Sequence, residues 1–421
     1  MATERKLHTI IIGAGTTGLL VAQGLKKANL PYSLYEYETD TSYQTRPREW
    51  GMTLHWGSEH VSNCLPPELV ARLSETYADT SIDPTSVTGL PIYNGKTGER
   101  IMVMGAANPC RVSRKKLRNL FKEGLDVSYG KELVSVSIER VEGEEGEKVV
   151  AGFKDGSKAV GDVLVGCDGA RSTARECIVG EEAAALTEVP LTMFNFTTRF
   201  PAGLAEEVRG LSPLFVSAIH PDHGSMFWTS IQDVPSSDPS TWLFQVLLSW
   251  THDPLLKDLR SYEDRMAFFK QRSATYAEPW RSLGAAVPDD TKLPMDPGTL
   301  WDKASKWDNR NGRLTLCGDA AHPMTPHRGQ GLNNALQDAS NFVAALIAAA
   351  SAKSPLADAV DAYDKEVLAR GTTEMQISYK QSMFIHSWET LMQSPMVKLG
   401  MHQAKKDEGG AERGAEEGEA K

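Results

Sequence analysis

Three short stretches of this 421-residue chain combine glycine, carboxylate and free backbone amides, the groups that hold phosphates and sugars. The first is Gly13-Ala14-Gly15-Thr16-Thr17-Gly18, with Glu36 placed 18 residues beyond its last glycine. The second is Gly166-Cys167-Asp168-Gly169-Ala170-Arg171-Ser172. The third and longest runs from Cys317 to Asp338 through Gly318-Asp319 and Gly329-Gln330-Gly331-Leu332. The spacing in the first stretch gives each glycine a task. Gly13 permits a tight turn, Gly15 lets the backbone approach a pyrophosphate, and Gly18 lets a helix pack on a strand. The helix that follows would direct its dipole and its unbonded N–H groups at the phosphates. Glu36 then stands where an acid accepts hydrogen bonds from a ribose.

The elements that must position these groups can be read from the apolar pattern. Thr9 to Ile12 is a β-rich run, Leu19, Ala22 and Leu25 share a helix face, and Tyr32 to Tyr35 is a second strand. Together they make a βαβ unit of about 30 residues, the context that turns a weak glycine motif into a nucleotide site. Val163-Leu164-Val165 and Arg313 to Leu316 are further short strands, each feeding one of the other two turns. After Gly331 a helix carries Leu332, Leu336, Ala339, Phe342 and Leu346, and another is expected from about Pro355 to Ser382. The loop from Arg46 to Trp56 is rich in arginine and aromatics, which suits either a ligand edge or a packed crossover. Arg111 to Phe121 reads as a helix with Ser113 as N-cap, and its arginines taken alone suit a solvated face.

Between these lie two β regions. Leu133 to Arg140 and Lys148 to Phe153 form a meander, and Asn94-Gly95 turns a hairpin between Leu90–Asn94 and Glu99–Met104. Leu191 to Phe200, Leu214 to Ile219, Met226 to Ile231 and Trp242 to Trp250 read as strands of an antiparallel sheet heavy in Phe and Trp. Arg199 stands out as an arginine inside an otherwise apolar strand and is the candidate for orienting a substrate. His55, His322 and His327 read as turn or loop residues in preference to catalytic ones.

Composition narrows the field. A net charge of −10 and a pI near 5.6 argue against nucleic acid or an anionic membrane as the main partner. Met1 to His8 is short and polar and offers no signal-peptide core, and no apolar run is long enough to span a bilayer. Five scattered cysteines, without a CxxC or Cys/His cluster, point to reduced thiols, a cytoplasmic location and no metal.

The order Gly-Ala-Gly-Thr-Thr-Gly with Glu36, Arg-Val-Ser-Arg-Lys-Lys-Leu at Arg111–Leu117, Cys-Asp-Gly-Ala-Arg-Ser at Cys167–Ser172, and Gly318 to Gly331 resembles the FAD-dependent aromatic hydroxylases, single-component flavoprotein monooxygenases of the p-hydroxybenzoate hydroxylase type. The likeness spans about residues 8 to 385 and is closest to fungal secondary-metabolism members. It implies an α/β fold with a Rossmann-type FAD-binding domain, a parallel sheet and a β-meander, plus an antiparallel-sheet substrate domain and C-terminal helices. The FAD-binding domain would comprise 1–80, 100–185 and 300–350, and the substrate domain 81–99 and 186–299. A helical region would follow at 351–403 and a disordered tail at 404–421. Gly13, Gly15 and Gly18 would hold the FAD pyrophosphate and Glu36 the adenosine ribose. Arg48 and Arg114 would contact the cofactor, and Asp168 would belong to a motif linked to both FAD and NAD(P)H. Asp319 would hold the ribityl or pyrophosphate region, and Gly331 and Leu332 would face the isoalloxazine edge. The implied reaction reduces FAD with NADPH or NADH as transient co-substrate and forms a flavin hydroperoxide from dioxygen. One oxygen atom then passes to an electron-rich aromatic or polycyclic small molecule, the enzyme acting as monomer or homodimer. A dehydrogenase or halogenase on the same fold is the alternative.

Overall fold

The computed structural model describes residues 7–46, 48–87, 89–105, 108–251, 258–394 and 397. The tail expected at 404–421, and the end of the helical region before it, lie outside the described residues. The chain divides into two compact units. One comprises Met1–Tyr77, Val112–Val189 and Thr299–Tyr379, the other Ala78–Arg111, Pro190–Gly298 and Lys380–Lys421. No helix among the described residues is long and apolar enough to cross a membrane.

The first unit is built on a four-stranded parallel sheet in the order Leu314–Leu316, Val163–Gly166, Thr9–Ile12, Tyr32–Tyr35. Its inner strands are mostly apolar because parallel strands bury both faces; Ile10, Ile11, Val163, Leu164 and Val165 are fully buried. All four strands run in the same direction, so the turns that leave them emerge at one edge. The helix Thr16–Lys27 follows the first strand, and the helix Gly331–Ala350 packs beside it. A three-stranded antiparallel meander, Leu133–Arg140, Glu147–Phe153 and Lys158–Gly161, belongs to the same unit. Ser113 caps the helix Arg114–Lys122 as its sequence predicts, its hydroxyl accepting from the Lys116 N–H.

The second unit centres on a seven-stranded sheet: Met295–Leu300, Thr187–Arg199, Leu243–Trp250, Ser225–Asp233, Phe215–His220, Gly89–Asn94, Arg100–Gly105. From Thr187–Arg199 to Arg100–Gly105 neighbouring strands run antiparallel except Phe215–His220 and Gly89–Asn94, which run parallel. One face carries Phe194, Phe196, Phe227, Phe244, Val246, Leu248 and Trp250 into an apolar core closed by Met266, Phe269, Trp280 and Leu283. Each such fully buried side chain contributes roughly 1.5–3 kcal/mol. A tilted ring pair, Phe194 with Trp250 at 5.0 Å, and an edge-on pair, Phe196 with Phe269 at 5.4 Å, fix its packing.

Candidate active site

The three glycine-bearing turns meet at the sheet edge, and the glycines show how closely. Gly13 has φ 100°, and a Cβ there would lie 2.6 Å from the Cys167 carbonyl oxygen, so the first turn rests directly on the second. A Cβ at Gly18 would lie 2.0 Å from the Gly13 oxygen, which binds the helix start to the strand end. Gly318, at φ 65°, would place a Cβ 2.8 Å from Thr17 Oγ1, so the third turn abuts the first helix. Gly15 differs from all three. Its φ of −71° suits any residue, yet beyond its chain neighbours no atom of the described residues lies within 4 Å of where its Cβ would be. The fold keeps that space open, and it lies before a helix with neither a side-chain cap nor an acid in its first turn.

Glu36 is buried and engaged with the loop. Its Oε2 accepts from the Ala14 N–H at 2.8 Å and its Oε1 from the Glu38 N–H at 3.1 Å. Tyr43 donates to the Ala14 oxygen at 2.7 Å, fixing the same residue from the other side. Arg48 and Arg114 both approach the Trp50 ring, at 5.7 and 4.4 Å from its centroid. Burial, reinforced by repulsion from Arg46, pushes the Arg114 guanidinium down to about 10, so it remains charged at neutral pH. It pairs loosely with Glu49 at 3.6 Å. Arg114 Nη1 and both Glu49 oxygens are buried without a hydrogen bond among the described residues.

Asp319 is open to solvent on one side while dense protein on the others raises its carboxyl pKa, burial outweighing the pull of His322 and Arg114. The Cβ position of Gly331 lies 3.8 Å from Asp319 Oδ1, placing this carboxylate at the start of the Gly331–Ala350 helix. That helix has no side-chain cap, and Leu332 in its first turn is buried. Asp168 lies at the same edge, but its carboxylate is turned to Ser172 Oγ and the Ala174 N–H, where it braces the helix Thr173–Val179. Burial nevertheless raises its pKa.

Two sets of residues that the sequence did not single out hold this edge in place. Asn333 accepts from the His55 and Gly57 N–H groups at 2.9 and 3.1 Å and donates to the Thr53 oxygen, tying the arginine- and tryptophan-rich loop to the helix start. Asp338, wholly buried, accepts from the Gly318 N–H at 2.7 Å, from His322 Nε2 at 2.6 Å and from Arg370 at 2.5 Å. His322 is thus a structural partner of the turn. Arg199 requires a correction. It is the exposed last residue of its strand, its Nε donating to the Thr241 oxygen at 3.2 Å. A guanidinium that reaches solvent needs no buried client, so the premise that singled it out does not hold.

Ten of the eleven candidates, all but Arg199, therefore fall in the first unit. What they offer is chemically coherent: two uncapped helix starts for anions, two carboxylates for hydroxyls, and a buried guanidinium. A model described as an FAD binding domain matches residues 112–378. The chain is 37% identical over 402 residues to the FAD-dependent monooxygenase phnB of Penicillium herquei, covering 94% of this chain and 96% of that one. It is 36% identical over 400 residues to the FAD-dependent monooxygenase cctM of Talaromyces islandicus, covering 94% and 97%. The crystal structure of Klebsiella pneumoniae HpxO complexed with FAD and uric acid superposes with a TM-score of 0.69 at 19% identity, over 96% of this chain and 93% of that one.

Proposed function

Since the chain belongs to the family of FAD-dependent monooxygenases, we propose that it spends NADPH or NADH and dioxygen to hydroxylate or epoxidise an electron-rich aromatic or polycyclic small molecule in secondary metabolism. The observation that carries this reading is the open space before Gly15 at the point where all three turns converge. The residues present fit FAD. Gly15 leaves room for the pyrophosphate, the buried Arg114 Nη1 makes no hydrogen bond among the described residues beyond its loose pairing with Glu49, and Asp319 is an accessible carboxylate. When bound, FAD supplies the activation of dioxygen and the delivery of one oxygen atom.

The chain's own groups do the rest. The N–H groups after Gly15, with the helix dipole behind them, bind the pyrophosphate at the first turn. Glu36 keeps lone pairs for ribose hydroxyls while its backbone bonds hold the loop in shape. Asp319 accepts from the hydroxyls of the sugar-alcohol arm. The N–H groups of Gly331 and Leu332, at the uncapped start of the Gly331–Ala350 helix, would stabilise negative charge on the flavin. Arg48 and Arg114, stacked on Trp50, add positive charge to the cofactor's surroundings. Asp168 reaches the site through the turn it braces.

The test is isotopic. Purified enzyme with NADPH, an extract of the source organism and oxygen-18 gas should yield a product carrying one heavy oxygen atom. Consumption of NADPH with no isotope in any product would overturn the proposal.

A further inference from the structure

We propose that Tyr43 is a positioning residue for the cofactor's pyrophosphate: by holding the Ala14 oxygen it turns the Gly15 N–H towards the phosphates, and Arg118 braces it for that task. This inference rests on the flavin reading and deepens it, since neither residue belongs to a glycine-bearing turn. Tyr43 lies on the short helix Asp40–Gln44, which Thr39 caps by accepting from the Ser42 N–H. Every other residue of that helix is exposed, whereas Tyr43 is 1% exposed.

The Tyr43 hydroxyl donates to the Ala14 oxygen at 2.7 Å. The peptide unit joining Ala14 to Gly15 is planar and trans, so its C=O and N–H point in opposite directions. With the oxygen held, the Gly15 N–H points away from Tyr43. That N–H makes no backbone hydrogen bond among the described residues, and it stands beside the space that the missing Gly15 side chain leaves open. The Ala14 N–H, bonded to Glu36 Oε2, fixes the preceding peptide. Both peptide planes of the turn are thus set from within the protein.

A tyrosine placed only for packing needs no cation beside it. Here the helix Arg114–Lys122 brings two, Arg118 and Lys122, one turn apart. The Arg118 guanidinium lies 4.1 Å from the Tyr43 ring centroid, and its Nη2 donates to the Tyr43 oxygen at 3.0 Å. Lys122 Nζ lies 5.6 Å from the same ring, and Tyr129 packs edge-on to it at 5.3 Å. Arg118 is only 2% exposed, and its Nε and Nη1 have no hydrogen-bond partner among the described residues. Burying a charge in this way is costly, and attraction to the ring offsets part of the cost. Burial pushes the Tyr43 phenol up to about 12, with Arg118 pulling the other way. The hydroxyl therefore stays a donor at neutral pH, and the cation makes it a stronger one.

ADP and adenosine are suitable probes, because only ADP carries the pyrophosphate. The full-length protein, freed of flavin, is titrated with FAD against each as competitor. The wild type should bind ADP more tightly than adenosine. Tyr43→Phe keeps the ring and removes only the hydroxyl. It should lose about tenfold in affinity for ADP and for FAD, the effect of one lost hydrogen bond, and nothing for adenosine. Arg118→Met should show the same selective loss, and Arg118→Lys, which returns a cation to the ring, should recover the wild-type preference. Equal losses for the two probes, as damage to the fold alone would give, or an unchanged preference in Tyr43→Phe would overturn the inference. A lysine variant no better than the methionine one would remove Arg118 from it. A wild type that binds FAD without preferring ADP would overturn this inference alone, whereas one that binds no FAD would overturn the flavin reading with it.

Discussion

At the scale of single residues, the glycines separate two demands that a sequence motif merges. Gly18 and Gly15 belong to one hexapeptide, yet a Cβ at Gly18 collides with backbone and a Cβ at Gly15 meets nothing. Gly18→Ala should therefore damage the fold itself. Gly15→Ala should melt like the wild type when both lack flavin, because its φ is ordinary, and yet bind FAD at least tenfold more weakly. Thermal unfolding monitored by circular dichroism and titration with FAD measure the two effects separately. Equal flavin affinity in Gly15→Ala would remove the pyrophosphate from this turn. Arg199 illustrates the opposite lesson. Its sequence context looks apolar, but the strand ends at that residue, and only the end point decides where the guanidinium goes.

At the scale of elements, the helix Gly331–Ala350 both presents its start to the site and anchors the turn before it. The anchor is Asp338, joined to Gly318, His322 and Arg370. Removing one partner of a buried ionic cluster typically costs about 3–5 kcal/mol, so Asp338→Ala should lower the melting temperature markedly. The pH dependence has a definite sign. Burial alone would lower the His322 pKa, but attraction to Asp338 and their hydrogen bond raise it; burial would raise Asp338, and His322 with Arg370 lowers it. The His322 contribution is complete below its ordinary value near 6.5 and fades as pH climbs through the raised folded value. The Asp338 contribution is complete above its ordinary value near 3.8 and fades as pH falls through the depressed one. Stability from this cluster should thus be flat across mildly acidic pH and decline on the alkaline side. His322→Gln should abolish that alkaline decline, as melting curves across pH would reveal; an unchanged slope would contradict the assignment.

At the scale of the whole molecule, the sequence disclosed what is local and hid what is assembled. The βαβ unit was legible because its buried strands are continuous apolar runs and its helix starts at a glycine turn. The meander and most strands of the larger sheet followed from alternation. The strand Met295–Leu300 did not, because it contains Pro297 and Gly298; it is tolerated as an edge strand, where a missing N–H costs no ladder bond. The helix Ala202–Leu211 was missed behind Pro201 and a short amphipathic pattern. The parallel pairing of Phe215–His220 with Gly89–Asn94 leaves no mark on either strand's alternation. Likewise Arg111 meets Gln245 across 134 residues, and Asp338 meets Arg370 across 32. Such partners become visible only once the chain has folded.

The central claim is that turns from three distant parts of the chain hold one FAD, with Asp319 accepting from its sugar-alcohol arm. Its most direct test is the flavin content of purified Asp319→Ala protein, read from visible absorbance beside a wild-type control. The wild type should be yellow, and the folded variant should purify largely colourless. A folded Asp319→Ala protein that retains as much FAD as the wild type would contradict it.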